Sequence, residues 1–295
     1  MSDSSFLLPP SSLSGFADEQ SRMNQSTRGA WDWYANYRRH VERLIIPRDR
    51  GGRICVLGAG NCNDLDLTWL IEAFAEVHLI DIDPAALNRA AHRQGVNGHP
   101  KLVLHAPLDL TGIADRMAGW KGRNVTDAEL TAAVEAALAI SQPIVAGGFD
   151  VVLSPCVLSQ LLCGVRDVIG KSHPGWPRLK AALRSRHLRD LAGLCAPDGR
   201  GVLVVDLASS NALPGLDRAR DEELPDLMRM CARDGKCFRG LEPRELAAAI
   251  RGDKALNRIV SDTSISQPWL WHLGWGKAFL VYGMTVRRTY SSIPL

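Results

Sequence analysis

Apolar residues recur along this chain in two alternating rhythms. Short, nearly uninterrupted apolar runs at Ile54–Leu57, Val77–Asp81, Lys101–His105, Phe149–Ser154 and Gly201–Leu207 read as strands buried on both faces. Between them lie stretches with helical spacing, near Asp64–Ala75, Pro84–Arg93, Val157–Ile169 and Trp176–Cys195. Such alternation predicts an α/β domain whose parallel sheet is covered on both faces. After the fifth strand the rhythm changes. Helices are expected near Asp221–Ala232 and Pro243–Arg251, and strands at Arg258–Ser264 and Ala278–Arg287. The short linker between those last strands carries Pro268, Gly274 and Gly276, which suggests an antiparallel pair closing the sheet.

Ahead of the sheet, residues 1–24 are rich in Ser, Pro and acidic residues and read as a disordered tail. A helix is expected from Thr27 to Ile46, with Trp31, Tyr34, Tyr37, Val41 and Leu44 forming one apolar face, and Pro47–Gly52 breaks it. The division is therefore a tail at 1–24, an accessory helix and linker at 25–52, and the main domain at 53–290. Thr111–Gly148 interrupts the alternation and contains its own predicted helix, Asp127–Ile140. A connection of that length is either a lid or binding element, or a structural helix covering the sheet.

Composition narrows the classes only a little. The chain has 295 residues, is 46% hydrophobic and carries a net charge of +3, as ordinary globular proteins do. No run of five Lys or Arg occurs, so nothing argues for nucleic acid, and nothing excludes it. The N-terminus does not read as a secretory signal, and no apolar run approaches the roughly 20 residues that span a bilayer. Seven cysteines without a C-x-x-C pair suggest a reducing cytoplasm and no zinc or other metal site.

The chemistry concentrates in Arg53–Leu87, RICVLGAGNCNDLDLTWLIEAFAEVHLIDIDPAAL. A buried strand ends in Gly58-Ala59-Gly60, where glycine permits a tight turn and close approach of a ligand. The next strand ends in Asp81, a carboxylate placed to accept both hydroxyls of a ribose and, by sequence, without a capping duty. Asp83 before Pro84 reads as a helix N-cap. Asp64 and Asp66 either complement a helix dipole or, for Asp64, supply charge to a ligand. Nicotinamide enzymes share this plan. Here, however, Asn63 stands where the third glycine of G-x-G-x-x-G would bring strand and helix close around a diphosphate.

With its IDIDPAAL ending and its closing strand pair, the chain resembles the class I S-adenosylmethionine-dependent methyltransferases over about Arg53–Arg287. That resemblance implies a Rossmann-like fold with a seven-stranded, mostly parallel sheet of order 3-2-1-4-5-7-6. It also implies S-adenosyl-L-methionine as cofactor over the carboxyl ends of strands one to four. Gly58, Ala59 and Gly60 would line its methionine part, with Asp64 a replacement charge for the amino group. Asp81 and Ile82 would hold the ribose, Leu108 and Asp109 the adenine, and Ser154 and Pro155 would border the methyl group. Leu57 and Cys62 depart from the family's usual acid and glycine.

Pro155-Cys156 is similar to the nucleophile motif of cytosine-5 methyltransferases but lacks the accompanying acid and second cysteine, so Cys156 reads as a wall of the substrate pocket. Trp31, Tyr34 and Tyr37, and likewise Trp269, Trp271 and Trp275, either approach the mouth of that pocket or pack an accessory helix. His40, His105, His187 and His272 are candidate bases that no context separates. The expected activity is methyl transfer to an O, N or S atom of a small molecule. The alternatives are an RNA or protein methyltransferase and a non-catalytic cofactor-binding module.

Overall fold

The computed structural model describes residues 15–48, 51–139, 144–274 and 276–289. Two helices precede the sheet, α1 (Phe16–Ser26) and α2 (Ala35–Ile45), separated by a 3-10 turn at Trp31–Tyr34. The strands are β1 (Arg53–Leu57), β2 (Glu76–Ile80), β3 (Leu102–His105), β4 (Phe149–Pro155), β5 (Cys195–Ser209), β6 (Val260–Ile265), β7 (Trp269–Gly274) and β8 (Lys277–Arg288). Helices α3 (Leu67–Ala73) and α4 (Pro84–Arg93) follow β1 and β2. Beyond β3 come α5 (Ala114–Met117) and α6 (Asp127–Leu138), then α7 (Val157–Ile169) and α8 (Trp176–Gly193) after β4. Helices α9 (Leu224–Arg233), α10 (Pro243–Gly252) and α11 (Lys254–Ile259) lie between β5 and β6.

The sheet runs β3-β2-β1-β4-β5-β8-β6, with β1 to β5 parallel and β8 antiparallel to β5. This is the Rossmann-like methyltransferase order. It differs from the expected seven strands by one: β7 was read as linker, yet it pairs with β8 beyond β6, along the same edge. Pro268 just before it and Gly274 at its end broke the pattern in sequence, while Trp269 and Trp271 between them are β-formers that point to one face.

The sheet separates two apolar layers. One holds α2, α3, α4 and the tryptophans of β7, and includes Tyr37, Val41, Leu70, Leu87 and Trp269. The other holds α1 and α5 to α11, with Phe16, Leu130, Val165 and Leu188.

Three boundaries need correction. Residues 16–24, read as tail, are helical, and Phe16 is 2% exposed beside Gly164 of α7; residues 1–14 lie outside the described residues. Polar composition hid the helix, because one aromatic side chain does most of the docking. The helix expected from Thr27 begins only at Ala35. The helix expected from Asp64 begins at Leu67, since Asp66 is its N-cap and accepts the Trp69 N–H at 2.9 Å.

Candidate cofactor cleft and a second buried cluster

A cleft opens at the carboxyl ends of β1 and β2, with about 460 Å³ of empty space including its open mouth. Gly58 and Gly60 form one wall, Asp81 and Ile82 a second, and Leu108, Asp109 and Leu110 a third. Val157, Gln160 and Leu161 of α7 face them, and Phe16, Gln20 and Asn24 of α1 close the remaining side. Six expected site residues thus meet in one place: Gly58, Gly60, Asp81, Ile82, Leu108 and Asp109. The α1 wall had no expected member, because nothing in residues 16–24 marks a ligand.

Gly58 adopts φ +67°, and a Cβ there would lie 2.5 Å from Val157 Cγ2. The position therefore requires glycine twice over, for its left-handed backbone and for close approach. Asp81 is buried. Its Oδ2 accepts the Gly60 N–H at 2.7 Å and its Oδ1 accepts the Asp83 N–H at 2.8 Å. The sequence reading gave this side chain no structural duty; it holds two turns. Burial pushes its pKa up to about 6 despite those two N–H donors.

Asp109 is likewise engaged locally. Its Oδ1 accepts from the Thr111 N–H and hydroxyl, and its Oδ2 from the Ala114 N–H, all at 2.6–2.9 Å. It lines the cleft while capping the turn into α5. Asp83 caps α4 through the Ala85 and Ala86 N–H groups and also accepts from Asn24 Nδ2 at 3.2 Å.

The turn after Gly60 is tied to the chain's N-terminal segment. Asn61 Nδ2 donates to the Asn24 carbonyl at 2.5 Å, and Asn63 Nδ2 to the Thr27 carbonyl at 2.8 Å. Arg93 donates to the Asn61 carbonyl and to Asn63 Oδ1, and Arg38 to the Asn63 carbonyl. Asn63 thus occupies the third-glycine position as a hub of buried hydrogen bonds.

Two first-turn amides of α3, those of Leu67 and Trp69, are also occupied. Leu67 N–H donates to Gln94 Oε1 at 2.8 Å, and Trp69 N–H to Asp66. The helix end leaves no ready cradle for a diphosphate.

Other expected residues lie elsewhere. Ala59 is buried in the first turn and donates its N–H to the Ile80 carbonyl. Ser154 turns to the α8 layer, where its hydroxyl lies 2.7 Å from His187 Nε2; burial holds that imidazole down at about pKa 4. Pro155 ends β4 without lining the cleft.

Trp31, Tyr34, Tyr37, Asp64 and Cys156 belong to a second group on the α2 layer, with Tyr37 and Cys156 buried and the other three half-buried. The Arg38 and Arg93 guanidinium groups lie over the Trp31 ring at 3.6 and 4.8 Å. Tyr34 packs on Trp271, with centroids 5.0 Å apart, and Tyr37 lies 5.2 Å from Trp271 and 6.1 Å from Trp269. The Tyr37 hydroxyl donates to Cys156 Sγ at 3.3 Å. Asp64 acts on both tyrosines, and burial pushes its own pKa up to about 7. None of these five lines the cleft; Trp275 lies outside the described residues. Asp206 of β5 also acts on this group, through Tyr37 and Cys156.

Burial pushes the Cys156 thiol up, which disfavours the thiolate a nucleophile needs. Among the described residues no group of three or more His, Cys, Asp or Glu is placed to hold a metal, and no helix is long and apolar enough to cross a membrane.

No protein-family model and no curated protein matches this chain. Among solved structures it is similar to N-methyltransferase NodS from Bradyrhizobium japonicum WM9 in complex with S-adenosyl-L-homocysteine. That match has 13% identity over 92% of this chain and 98% of the other, with a TM-score of 0.48. It is also similar to the 1,6-didemethyltoxoflavin-N1-methyltransferase of Burkholderia thailandensis, at 14% identity over 96% and 92% of the two chains, TM-score 0.45. An rRNA methylase from Streptococcus thermophilus matches at 9% identity over 85% and 94%, TM-score 0.40.

Proposed function

We propose that this protein is an S-adenosylmethionine-dependent methyltransferase acting on a small molecule. The observation that carries this reading is the cleft at the ends of β1 and β2. There a glycine turn meets a buried carboxylate, while the neighbouring helix has its Leu67 and Trp69 amides already taken. A carboxylate beside a glycine turn suits a nucleoside, with Asp81 toward the ribose and Ile82, Leu108 and Leu110 as apolar walls for the adenine. A dinucleotide needs a free helix N-terminus for its diphosphate, and α3 offers none. S-adenosylmethionine carries no phosphate and fits this arrangement. Gly58 and Gly60 would lie against its amino-acid part, and α1 would cover it through Phe16, Gln20 and Asn24.

Methyl transfer from a sulfonium is an in-line displacement that needs alignment and exclusion of water more than acid–base groups. Walls from α1 and α7 on facing sides of the cleft would help supply both. A small acceptor is favoured because the residues lining the cleft include no Lys or Arg and so form no basic stripe. Methylation of a defined metabolite panel tests the reading: transfer to a small molecule supports it, and transfer only to RNA or protein overturns it.

A further inference from the structure

Asp206, near the carboxyl end of β5, is 8% exposed; its carboxyl takes side-chain hydrogen bonds from Ser159 and Cys156, while its Oδ1 has no partner among the described residues. It pairs in register with Val281 of β8, and Val281 pairs with Trp269 of β7. Directly opposed residues of an antiparallel pair share a face, so Asp206, Val281 and Trp269 form one row on one side of the sheet. Tyr37 and Trp271 pack onto that row, and the Tyr37 hydroxyl reaches Cys156 at the end of β4. Cys156 precedes Val157, whose side chain closes on Gly58 in the cleft. The row lies on the α2 face of the sheet and the Val157 wall on the other, and the two meet at the end of β4, where Cys156 is followed by Val157.

A buried carboxyl oxygen without a partner calls for an explanation, and a ligand is one of the few available. The charges around it are one-sided. Asp64, which also acts on Tyr37 and Cys156, has Arg38 and Arg93 near it, while no Lys or Arg pairs with Asp206 among the described residues. An anionic nucleophile is opposed there, since phenol and thiol neighbours are held protonated. A group that donates a hydrogen bond and bears positive charge is favoured by the carboxylate and by the aromatic faces together.

We propose that the methyl acceptor is an amine whose nitrogen is held by Asp206 Oδ1 against the Tyr37 and Trp271 rings. This rests on the methyltransferase reading. Tyr34, the half-buried ring over the group, is displaced as the amine enters. Asp206 takes the proton of the entering ammonium, which leaves a neutral amine with a free lone pair. That pair forms the new N–C bond as the C–S bond of the methyl donor breaks and its electrons pass to sulfur. The positive charge moves to nitrogen and remains beside the carboxyl and the rings.

Asp206→Asn tests this, with three readouts. Calorimetry with S-adenosylhomocysteine checks the cofactor cleft, and binding by neither protein overturns the methyltransferase reading beneath the proposal. Tryptophan fluorescence of the S-adenosylhomocysteine complex is then titrated with benzylamine hydrochloride and, as neutral control, benzyl alcohol. The ammonium is expected to bind and the alcohol not, with affinity for the ammonium falling roughly tenfold or more in Asp206→Asn, the loss of one charge-assisted contact. Finally, transfer of a ¹³C-labelled methyl into a metabolite extract is followed by NMR. N-methyl products that Asp206→Asn abolishes are expected. O- or S-methyl products, equal binding of ammonium and alcohol, or an unaffected variant overturn the proposal.

Discussion

The carboxylate of Asp81 accepts the backbone N–H of Gly60 at 2.7 Å, so one side chain joins the end of β2 to the tip of the turn after β1. Asp81→Asn can turn an N–H₂ toward the Gly60 or Asp83 amide and leave a buried donor unmet, at a cost of about 1–3 kcal/mol. The melting temperature of the free protein is expected to fall, and affinity for S-adenosylhomocysteine to fall roughly tenfold or more, as loss of a charge-assisted bond implies. Calorimetry and thermal melts check both. A lower melting temperature with unchanged affinity would remove Asp81 from the cofactor site.

Gly58→Ala places a methyl against Val157 and holds alanine in a left-handed conformation. The backbone part alone costs about 1–2 kcal/mol. Adding Val157→Ala relieves the clash but not the backbone strain. The double variant is expected to melt above the single one and below wild type. Equal melting of the two alanine variants would show that Val157 yields without cost.

The sheet was legible because burial on both faces leaves continuous apolar runs, and Gly58, Gly60 and Asp81 were legible because strand ends fix where such residues stand. The remaining features were not. Helix α1 docks through Phe16 and a few polar bonds, a pattern that composition reads as tail. Nothing in the sequence marks Asp206, since the unpartnered state of its Oδ1 exists only in three dimensions. Trp31, Tyr34 and Tyr37 have the right spacing for an apolar face. That spacing cannot tell a cleft from the sheet edge at β7, on which Tyr34 and Tyr37 in fact pack.

Phe16→Ala tests the role of α1 as a wall. Eleven residues are marginal as an isolated helix, so removing the one buried aromatic should undock α1 without unfolding the sheet. Hydrogen exchange in Phe16–Ser26 is expected to accelerate while that of β1, β4 and β5 holds. Release of S-adenosylhomocysteine is expected to quicken. Cooperative loss of the whole domain would instead make α1 part of the core.

Asp206 also predicts a pH dependence. Burial pushes its folded pKa up to about 7 from the ordinary 3.8, so the folded state binds the extra proton between those values. Its contribution is then present at low pH and lost as pH rises from about 4 through 7. Asp206→Asn cannot ionise, so its melting temperature relative to wild type is expected to rise across that window and level off above it. A difference that does not change with pH would place the carboxyl in a more polar setting.

Cofactor choice is tested most directly by titrating the purified protein, in separate calorimetric runs, with S-adenosylhomocysteine and with NAD. Saturable binding of S-adenosylhomocysteine, weakened in Asp81→Asn, with no heat from NAD, is the expected result. Binding of NAD, or of neither, would contradict the assignment of the β1–β2 cleft.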